Sequence, residues 1–357
     1  MKRILSIALS LLAASTAMAQ TAVNNYQPGV TPEGAIYFLP KTAVRVTVQV
    51  EKTSYQPGDF SKYADKYLRL RNVQQEPTVS YRITRVSVTP IGLPDKSKAY
   101  AVQFNARTSA ANVALSDDGV LLSVNAEPSK AVMPVPFVPA RRSEKPSPRQ
   151  FMTEEILTAG STSKMAELTA REIYDLRENR NLLIKGQADF MPKDGDQMRL
   201  MLSQLEEQDE SLTSLFKGVT VRDTTERSYV VCPDSTMEKS VLFRLSQRLG
   251  LVDNDDLSGT PYYISIEDEH AVPTVVEENN SKKKKKDENG LYVNVPGRMR
   301  VTLYNGNDVM ATEEIAAAQF GHVELLSGEL FNKRWTTHLW LSPTTGAVER
   351  LEAEQPK

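Results

Sequence analysis

Between Ser163 and Phe216 apolar residues return every three or four positions, in two runs interrupted once. Met165, Leu168, Ile173, Leu176 and Leu183 make the first run. Met198, Leu202, Leu205, Leu212, Leu215 and Phe216 make the second. That spacing puts each set on one side of a helix, with Arg171, Glu172, Asp175, Arg177 and Glu178, then Glu206, Glu207, Asp209 and Glu210, between the stripes. Glu167 with Arg171, and Arg171 with Asp175, are i,i+4 pairs that add only a few tenths of a kcal/mol each. Gly186 suits a left-handed helix end and Pro192 blocks continuation. Asp194 then reads as an N-cap, with Gln197 three residues on completing a capping box. Two helices of about 22 residues, roughly 33 Å each, with a short connection predict an antiparallel hairpin. Its stripes are expected to cover the flanking sheets, with a partner-binding coiled coil or a second chain as the alternative.

Both sides of the hairpin read as β structure. From Ala35 to Val50, valines at 44, 46, 48 and 50 alternate with Arg45, Thr47 and Gln49, the pattern of a strand buried on one face. Tyr55-Gln56-Pro57-Gly58 places Pro and Gly for a type II turn, and the same four letters occur at Tyr26 to Gly29. Further strands are expected around Tyr81 to Val88, Tyr100 to Phe104, and Val113 to Val124. The last of these folds over Asp117-Asp118-Gly119, with Asp-Gly in the left-handed positions. After the hairpin come Arg227 to Val231, Val241 to Leu245, Tyr262 to Ile266, Leu291 to Leu303, Val323 to Leu326, Trp335 to Leu341 and Ala347 to Leu351. Leu115-Ser116 with Gly119-Val120-Leu121 resembles Leu341-Ser342 with Gly346-Ala347-Val348, a hint of two related β regions. The fold class expected is α+β, two β-rich regions flanking a long antiparallel helical hairpin. The stretches are 1–19 leader, 20–127 N-terminal β-rich, 128–150 proline-rich linker, 151–217 helical hairpin and 218–357 C-terminal β-rich.

The leader rests on Lys2 and Arg3, an apolar run from Ile4 to Ala14, and Ala17-Met18-Ala19 as a small-x-small cleavage site that would leave Gln20 first. The run is too short to span a bilayer. No cysteine follows the cleavage point, so a lipid anchor is not expected. Residues 21–33 are polar and expected to be loose. Export to the periplasm or cell surface is the expectation. Removing Lys2 and Arg3 from the 43 basic residues leaves them close in number to the 45 acidic ones, so no global field favours nucleic acid or membrane. Cys232 is the single cysteine, so no intrachain disulfide can form, and within Tyr229-Val230-Val231-Cys232 it reads as a buried small side chain. The five lysines from Lys282 to Lys286 are flanked by Glu277, Glu278, Asp287 and Glu288, which cancel their field over about 8 Å; a solvated loop follows.

Several stretches together carry a resemblance. They are Glu33-Gly34, Leu39-Pro40-Lys41-Thr42, Tyr55-Gln56-Pro57-Gly58 and Tyr63-Ala64-Asp65-Lys66-Tyr67-Leu68. They continue with Ile173-Tyr174-Asp175-Leu176-Arg177-Glu178-Asn179-Arg180, Gly186-Gln187-Ala188-Asp189 and Met191-Pro192-Lys193-Asp194-Gly195. Over most of the chain after the leader they resemble a domain-of-unknown-function family of secreted proteins from Gram-negative, gut-dwelling bacteria. Asp59 and Arg69 depart from the pattern, which leads one to expect Pro and Gly there. The family carries no established reaction or ligand, so the resemblance implies no catalytic residue.

The residues themselves offer little chemistry. His270, His322 and His338 are scattered, with no metal-ligand neighbour at helical spacing, and no metal or cofactor is expected. Ser161 with Lys164, and Ser214 with Lys217, match the Ser-x-x-Lys spacing of serine acylases without its companion motifs, and read as helix ends. Asp189, Asp194 and Asp196 could crowd oxygens around calcium, but not at EF-hand spacing. Glu206, Glu207, Asp209 and Glu210 could pair for glycoside hydrolysis, yet read as a solvated helix face. Phe60, Tyr63 and Tyr67 fall on one side of a short helix, as a wedge into a core or as a ligand platform. The expectation is a secreted, non-catalytic binding or envelope-assembly protein whose partner is a cell-envelope protein or glycan. The alternative is a secreted hydrolase of glycan or peptide with a site assembled from remote residues.

Overall fold

The computed structural model describes residues 22–25, 35–103, 112–129, 135–139, 146–273, 290–331 and 336–355. The leader, the first Tyr-Gln-Pro-Gly copy, Phe104, Pro134, the lysine run and Trp335 lie outside the described residues. In chain order the strands before the helical hairpin are β1 (Ala22–Asn25), β2 (Ala35–Gln56), β3 (Thr78–Gln103), β4 (Val113–Leu115) and β5 (Leu121–Val124). After it come β6 (Val219–Val231), β7 (Met237–Ser246), β8 (Gly250–Val252), β9 (Thr260–Asp268), β10 (Gly290–Asn305), β11 (Asp308–Ser327), β12 (Thr336–Leu341) and β13 (Val348–Glu354). The helices are α1 (Ala64–Leu68), α2 (Glu154–Leu157), α3 (Thr162–Lys185) and α4 (Gly195–Lys217). The chain is therefore α+β, with β sheets flanking an antiparallel helical pair.

Among the described residues the strands form three sheets, ordered β1-β3-β2-β6, β11-β10-β9-β7-β8 and β13-β12-β5-β4. Two of them combine strands from before and after the hairpin: β6 pairs along β2 from Gln56↔Val219 to Val44↔Val231, and β12 pairs with β5 at Leu339↔Val124. Residues 22–25, expected to be loose, pair as β1 with the end of β3. The two separate strands expected between Tyr81 and Phe104 are one continuous β3, because its partner β2 runs unbroken beside it through two register shifts.

The long strands serve two cores. Val44, Val46, Val48 and Val50 of β2 meet Ile264 and Ile266 of β9 and Met299, Val301 and Leu303 of β10 in one. Tyr37 and Leu39 of β2 meet Leu291 and Val293 of β10 and Leu339 and Leu341 of β12 in the other. Each fully buried aliphatic side chain contributes about 1.5–3 kcal/mol relative to exposure. At their junction Thr42 donates its hydroxyl to the Thr344 carbonyl (3.0 Å) and accepts the Ala318 amide (3.1 Å). The Asn294 carboxamide donates to the carbonyls of Pro40 (3.0 Å) and Thr345 (2.8 Å). These bonds satisfy polar groups that burial would otherwise leave costly.

The likeness between the two Leu-Ser…Gly turns extends to their backbones. The Ser116 amide donates to Val120 O and the Gly119 amide to Ser116 O; the Ser342 amide donates to Ala347 O and the Gly346 amide to Ser342 O. Gly119 and Gly346 are both left-handed (φ 79° and 70°), whereas Asp118 is not, so only one residue of Asp-Gly takes that conformation. The carbonyl of each of these glycines accepts an amide from a long strand, Phe38 for Gly119 and Asn294 for Gly346. Those residues stand two positions before Pro40 and Pro296, where both strands shift register. A long bent hairpin followed by a short one thus occurs twice.

The helical hairpin closes on something other than the sheets. Ala166, Ala170, Ile173 and Leu176 of α3 and Leu212, Leu215 and Phe216 of α4 bury Phe60, Ala64 and Leu68, which lie in the connection between β2 and β3; Phe151 and Met152 pack beside them. The stripe is covered by the short helix of the β2–β3 connection. Pro57-Gly58 is not a type II turn, since Gly58 has no left-handed φ. Glycine is required there by proximity: a Cβ on Gly58 would lie 2.1 Å from Leu215 O.

Candidate functional site at the hairpin tip

The far end of the hairpin is built by its caps. Gly186 is left-handed (φ 68°), its amide donating to Leu183 O (3.1 Å) and that of Gln187 to Leu182 O (2.8 Å), the two bonds of a Schellman end. Asp194 caps α4 by accepting the Gln197 amide at 2.7 Å, while the Gln197 side chain accepts from Lys193 instead of from Asp194 itself. Residues 187–193 therefore bridge two helices that are pinned at both ends.

Between those ends lies a groove of about 460 Å³ lined by Asn179, Leu183, Ala188, Phe190, Leu200, Met201, Gln204 and Leu205. Its size falls within the about 300–1,000 Å³ of small-ligand pockets, and Asn179 and Gln204 are its polar members. Phe190 (67% exposed) and Leu200 (63%), both in its lining, present apolar surface to solvent. The stripe of α4 is fully buried at Leu212, Leu215 and Phe216 but only half-buried at Met198, Met201, Leu202 and Leu205. Leu183 and Leu205 were legible as stripe residues; Phe190, Leu200 and Met201 were not singled out. The signal was there in Met198-Arg199-Leu200-Met201-Leu202, which holds more apolar residues than one helix face needs.

Residues 33–349 match the family described as a domain of unknown function, DUF4831. The chain belongs to that family. No curated protein and no solved structure matches it. The matched span of this DUF4831 member runs from the start of β2 into β13, and so takes in both cores and the hairpin.

The other residues weighed on sequence are spread through the family fold in structural roles. Ser161 caps α3 by accepting the Lys164 amide (3.2 Å), and the Lys164 ammonium turns to Glu167 (3.0 Å). Ser214 donates to Ser211 O (2.6 Å) within the last turns of α4. Asp194 is a cap, and Asp196 pairs with Arg199. Asp209 does not belong to a solvated face: Arg177 grips it from α3 with Nε at 3.0 Å from Oδ2 and Nη2 at 3.0 Å from Oδ1, and Thr213 adds a bond at 2.9 Å. The reason is position, since Asp209 falls on the flank of α4 that meets α3.

His270 lies 3.1 Å from Asp268 and His322 lies 2.9 Å from Glu324, while His338 meets the Asn125 carbonyl. Among the described residues no group of three or more His, Cys, Asp or Glu side chains is placed to hold a metal. No described helix is long and apolar enough to cross a membrane. Phe60 is a core wedge, its ring 5.4 Å from that of Phe216. Tyr63 and Tyr67 are half-buried with rings 6.1 Å apart, and Lys66 sits 4.8 Å over the Tyr67 ring. Cys232 is exposed, not buried as its valine neighbours suggested, because it follows the end of β6. Though exposed, the thiol loses part of its hydration to neighbouring groups, which raises its pKa; Lys41 opposes, and Asp234 and Asp95 raise it further, so it is the reverse of an activated thiolate.

Proposed function

We propose that this protein is an exported, non-catalytic binding or assembly component of the cell envelope of a Gram-negative bacterium, and that the hairpin tip engages its partner. The observation that carries the reading is the apolar groove with exposed Phe190 and Leu200 in its lining, between helix ends capped by Gly186 and Asp194. Contiguous exposed apolar surface on a capped helical pair has a solvation cost that docking removes. Of the two partner classes, an envelope protein fits better than a glycan, because sugar hydroxyls would face an almost wholly apolar lining without partners. Of the acids weighed for hydrolysis or metal binding, Asp194, Asp196 and Asp209 are engaged in capping and ion pairs. The leader from Lys2 to Ala19 supports export to the periplasm or cell surface.

The test places a photo-cross-linking residue at Leu200 in the full chain in its own cells, with Ser228 on the outer sheet face as control. A discrete adduct with an envelope protein from position 200 only is expected. No adduct there, or equal labelling from both positions, overturns the docking reading. Protein recovered from the envelope fraction should begin at Gln20; recovery from the cytoplasm with Met1 in place overturns export.

A further inference from the structure

We infer that β6 is a self-association edge: two copies of this chain join antiparallel along Val219–Val231, with the two-fold axis at Thr225. Among the described residues β6 ends its sheet, with β2 as its one neighbour there. It pairs with β2 from Val219 to Val231 without a register shift, so its outer edge is unbroken over roughly 44 Å. Half of its amide and carbonyl groups point away from β2, as in any antiparallel ladder. The other sheet ends carry devices that discourage strand addition. β1 has four residues, β4 and β8 have three each, and β13 sets Glu349, Glu352 and Glu354 along seven. β11 is interrupted by two register shifts against β10. β6 has thirteen residues and holds no proline or lysine, and Val219 and Val230 near its ends are 44% and 53% exposed.

The occupant is decided by the complementarity of β6 to itself. Thr225 is the midpoint of the strand, so an axis there pairs all thirteen residues. Directly opposed side chains of an antiparallel pair share a face. On the face that carries Tyr229 and Val231 against the core at Val44 to Val50, Val219 then meets Val231 of the second copy, Val221 meets Tyr229, and Asp223 meets Arg227. On the other face Thr220 meets Val230, Arg222 meets Ser228 and Thr224 meets Glu226. Apolar and β-branched side chains oppose one another toward both ends, opposite charges do so nearer the axis, and no like charges stand directly opposed. Each favourable pair contributes about 0.2–1 kcal/mol. Arg227 is exposed, 5.6 Å over the Tyr229 ring, and the Asp223 carboxylate has acceptor capacity on both oxygens, enough for a partner on each chain. Neighbouring registers that keep the faces matched do worse. An axis at Thr224 leaves Val221 opposite Arg227, and one at Glu226 sets that carboxylate against its own copy. Thirteen residues a side fall short of the about 20–30 of a standard interface, so the dimer is a weak one held mainly by about a dozen backbone bonds.

Sedimentation of the full chain from Gln20, taken across micromolar concentrations, should show a monomer–dimer equilibrium. In this register Thr225 alone stands opposite itself, with Cα atoms roughly 4.5–5.5 Å apart. Thr225→Cys in a Cys232→Ser background should therefore be trapped as a disulfide dimer by mild oxidation. Arg227→Cys in the same background should not, because its two copies stand roughly 14 Å apart along the strands. Arg227→Asp sets aspartates opposite one another and should weaken the dimer by about tenfold, as should Asp223→Arg, which opposes arginines. Mixing those two variants should restore association, since every pairing of positions 223 and 227 across the mixed dimer is again of opposite charge; rescue also shows that each variant is folded. A monomer at every concentration, a dimer that Arg227→Asp leaves unchanged, no rescue on mixing, or equal trapping at 225 and 227 overturns the inference. A cross-linker at Ser228 should join two copies of this chain, a product told by its mass from the envelope-protein adduct read at position 200. An adduct there with another protein overturns the inference in favour of a foreign strand. The docking reading is decided by envelope-protein adducts, so either can fail without the other.

Discussion

Gly58 passes beneath Leu215 so closely that a Cβ would stand 2.1 Å from the Leu215 carbonyl oxygen, and that oxygen accepts the Phe60 amide at 2.8 Å. This contact joins the end of β2 to the last turn of α4. Tyr55 reinforces it: its one hydroxyl proton lies within reach of the carbonyls of Gln74 (2.8 Å) and Lys217 (3.0 Å) and is shared between them. Gly58→Ala must push two backbones apart, and we expect a loss of about 3 kcal/mol, at the upper end of overpacking costs. A urea titration checks it, and hydrogen exchange should place the loosening in the last turn of α4. Unchanged stability would mean that the approach is not this close.

Arg69 ends α1 in a left-handed conformation with its amide bonded to Ala64 O. An L-residue there costs about 1–2 kcal/mol, offset in part by the entropy glycine loses on folding. Arg69→Gly should therefore stabilise the protein by roughly 0.5–1 kcal/mol, read as a raised urea midpoint. A lower midpoint would show that the exposed arginine side chain contributes more than its backbone strain costs.

Burial raises the pKa of Tyr37 far above the ordinary tyrosine value, and it raises those of Tyr100, Tyr229 and Tyr262 as well. The folded chain then holds these protons when the unfolded chain releases its own near pH 10. Stability is complete below that pH and falls above it, by up to about 1.4 kcal/mol per pH unit for each group. Urea midpoints taken from about pH 8 to about pH 11 should show this decline. Tyr37→Phe should flatten the decline while lowering stability at neutral pH, because the Tyr292 amide loses its acceptor at 3.0 Å.

The raised pKa of Cys232 makes a kinetic prediction. Iodoacetamide should alkylate the folded protein fully, since the residue is exposed, but slowly at neutral pH. The rate should inflect above about 8.5, the ordinary thiol value. An inflection below that value would make Cys232 an activated thiolate.

The local features were legible. The caps Ser161, Asp194 and Gly186 were readable because each acts on residues within a few positions. The alternating valines of β2 were readable because a strand facing one core repeats every second residue. At the site, Leu183 and Leu205 were visible as stripe members, whereas the groove between them needs two helices brought together from 22 residues apart. Asp209 looked like a surface acid until Arg177, 32 residues earlier, was seen to hold it.

By itself the sequence determined two long helices, the residues that end them, and strands on either side, since helix and strand periodicity are written in neighbouring residues. Only the tertiary structure decided that the hairpin seam closes on α1 at its base, that β2 pairs with β6 and β5 with β12, and that Gly58 must be glycine. Those outcomes depend on which surfaces meet across 100 to more than 200 residues of chain. Apolar residues of similar size can cover one another in many combinations, so no local pattern names the partner.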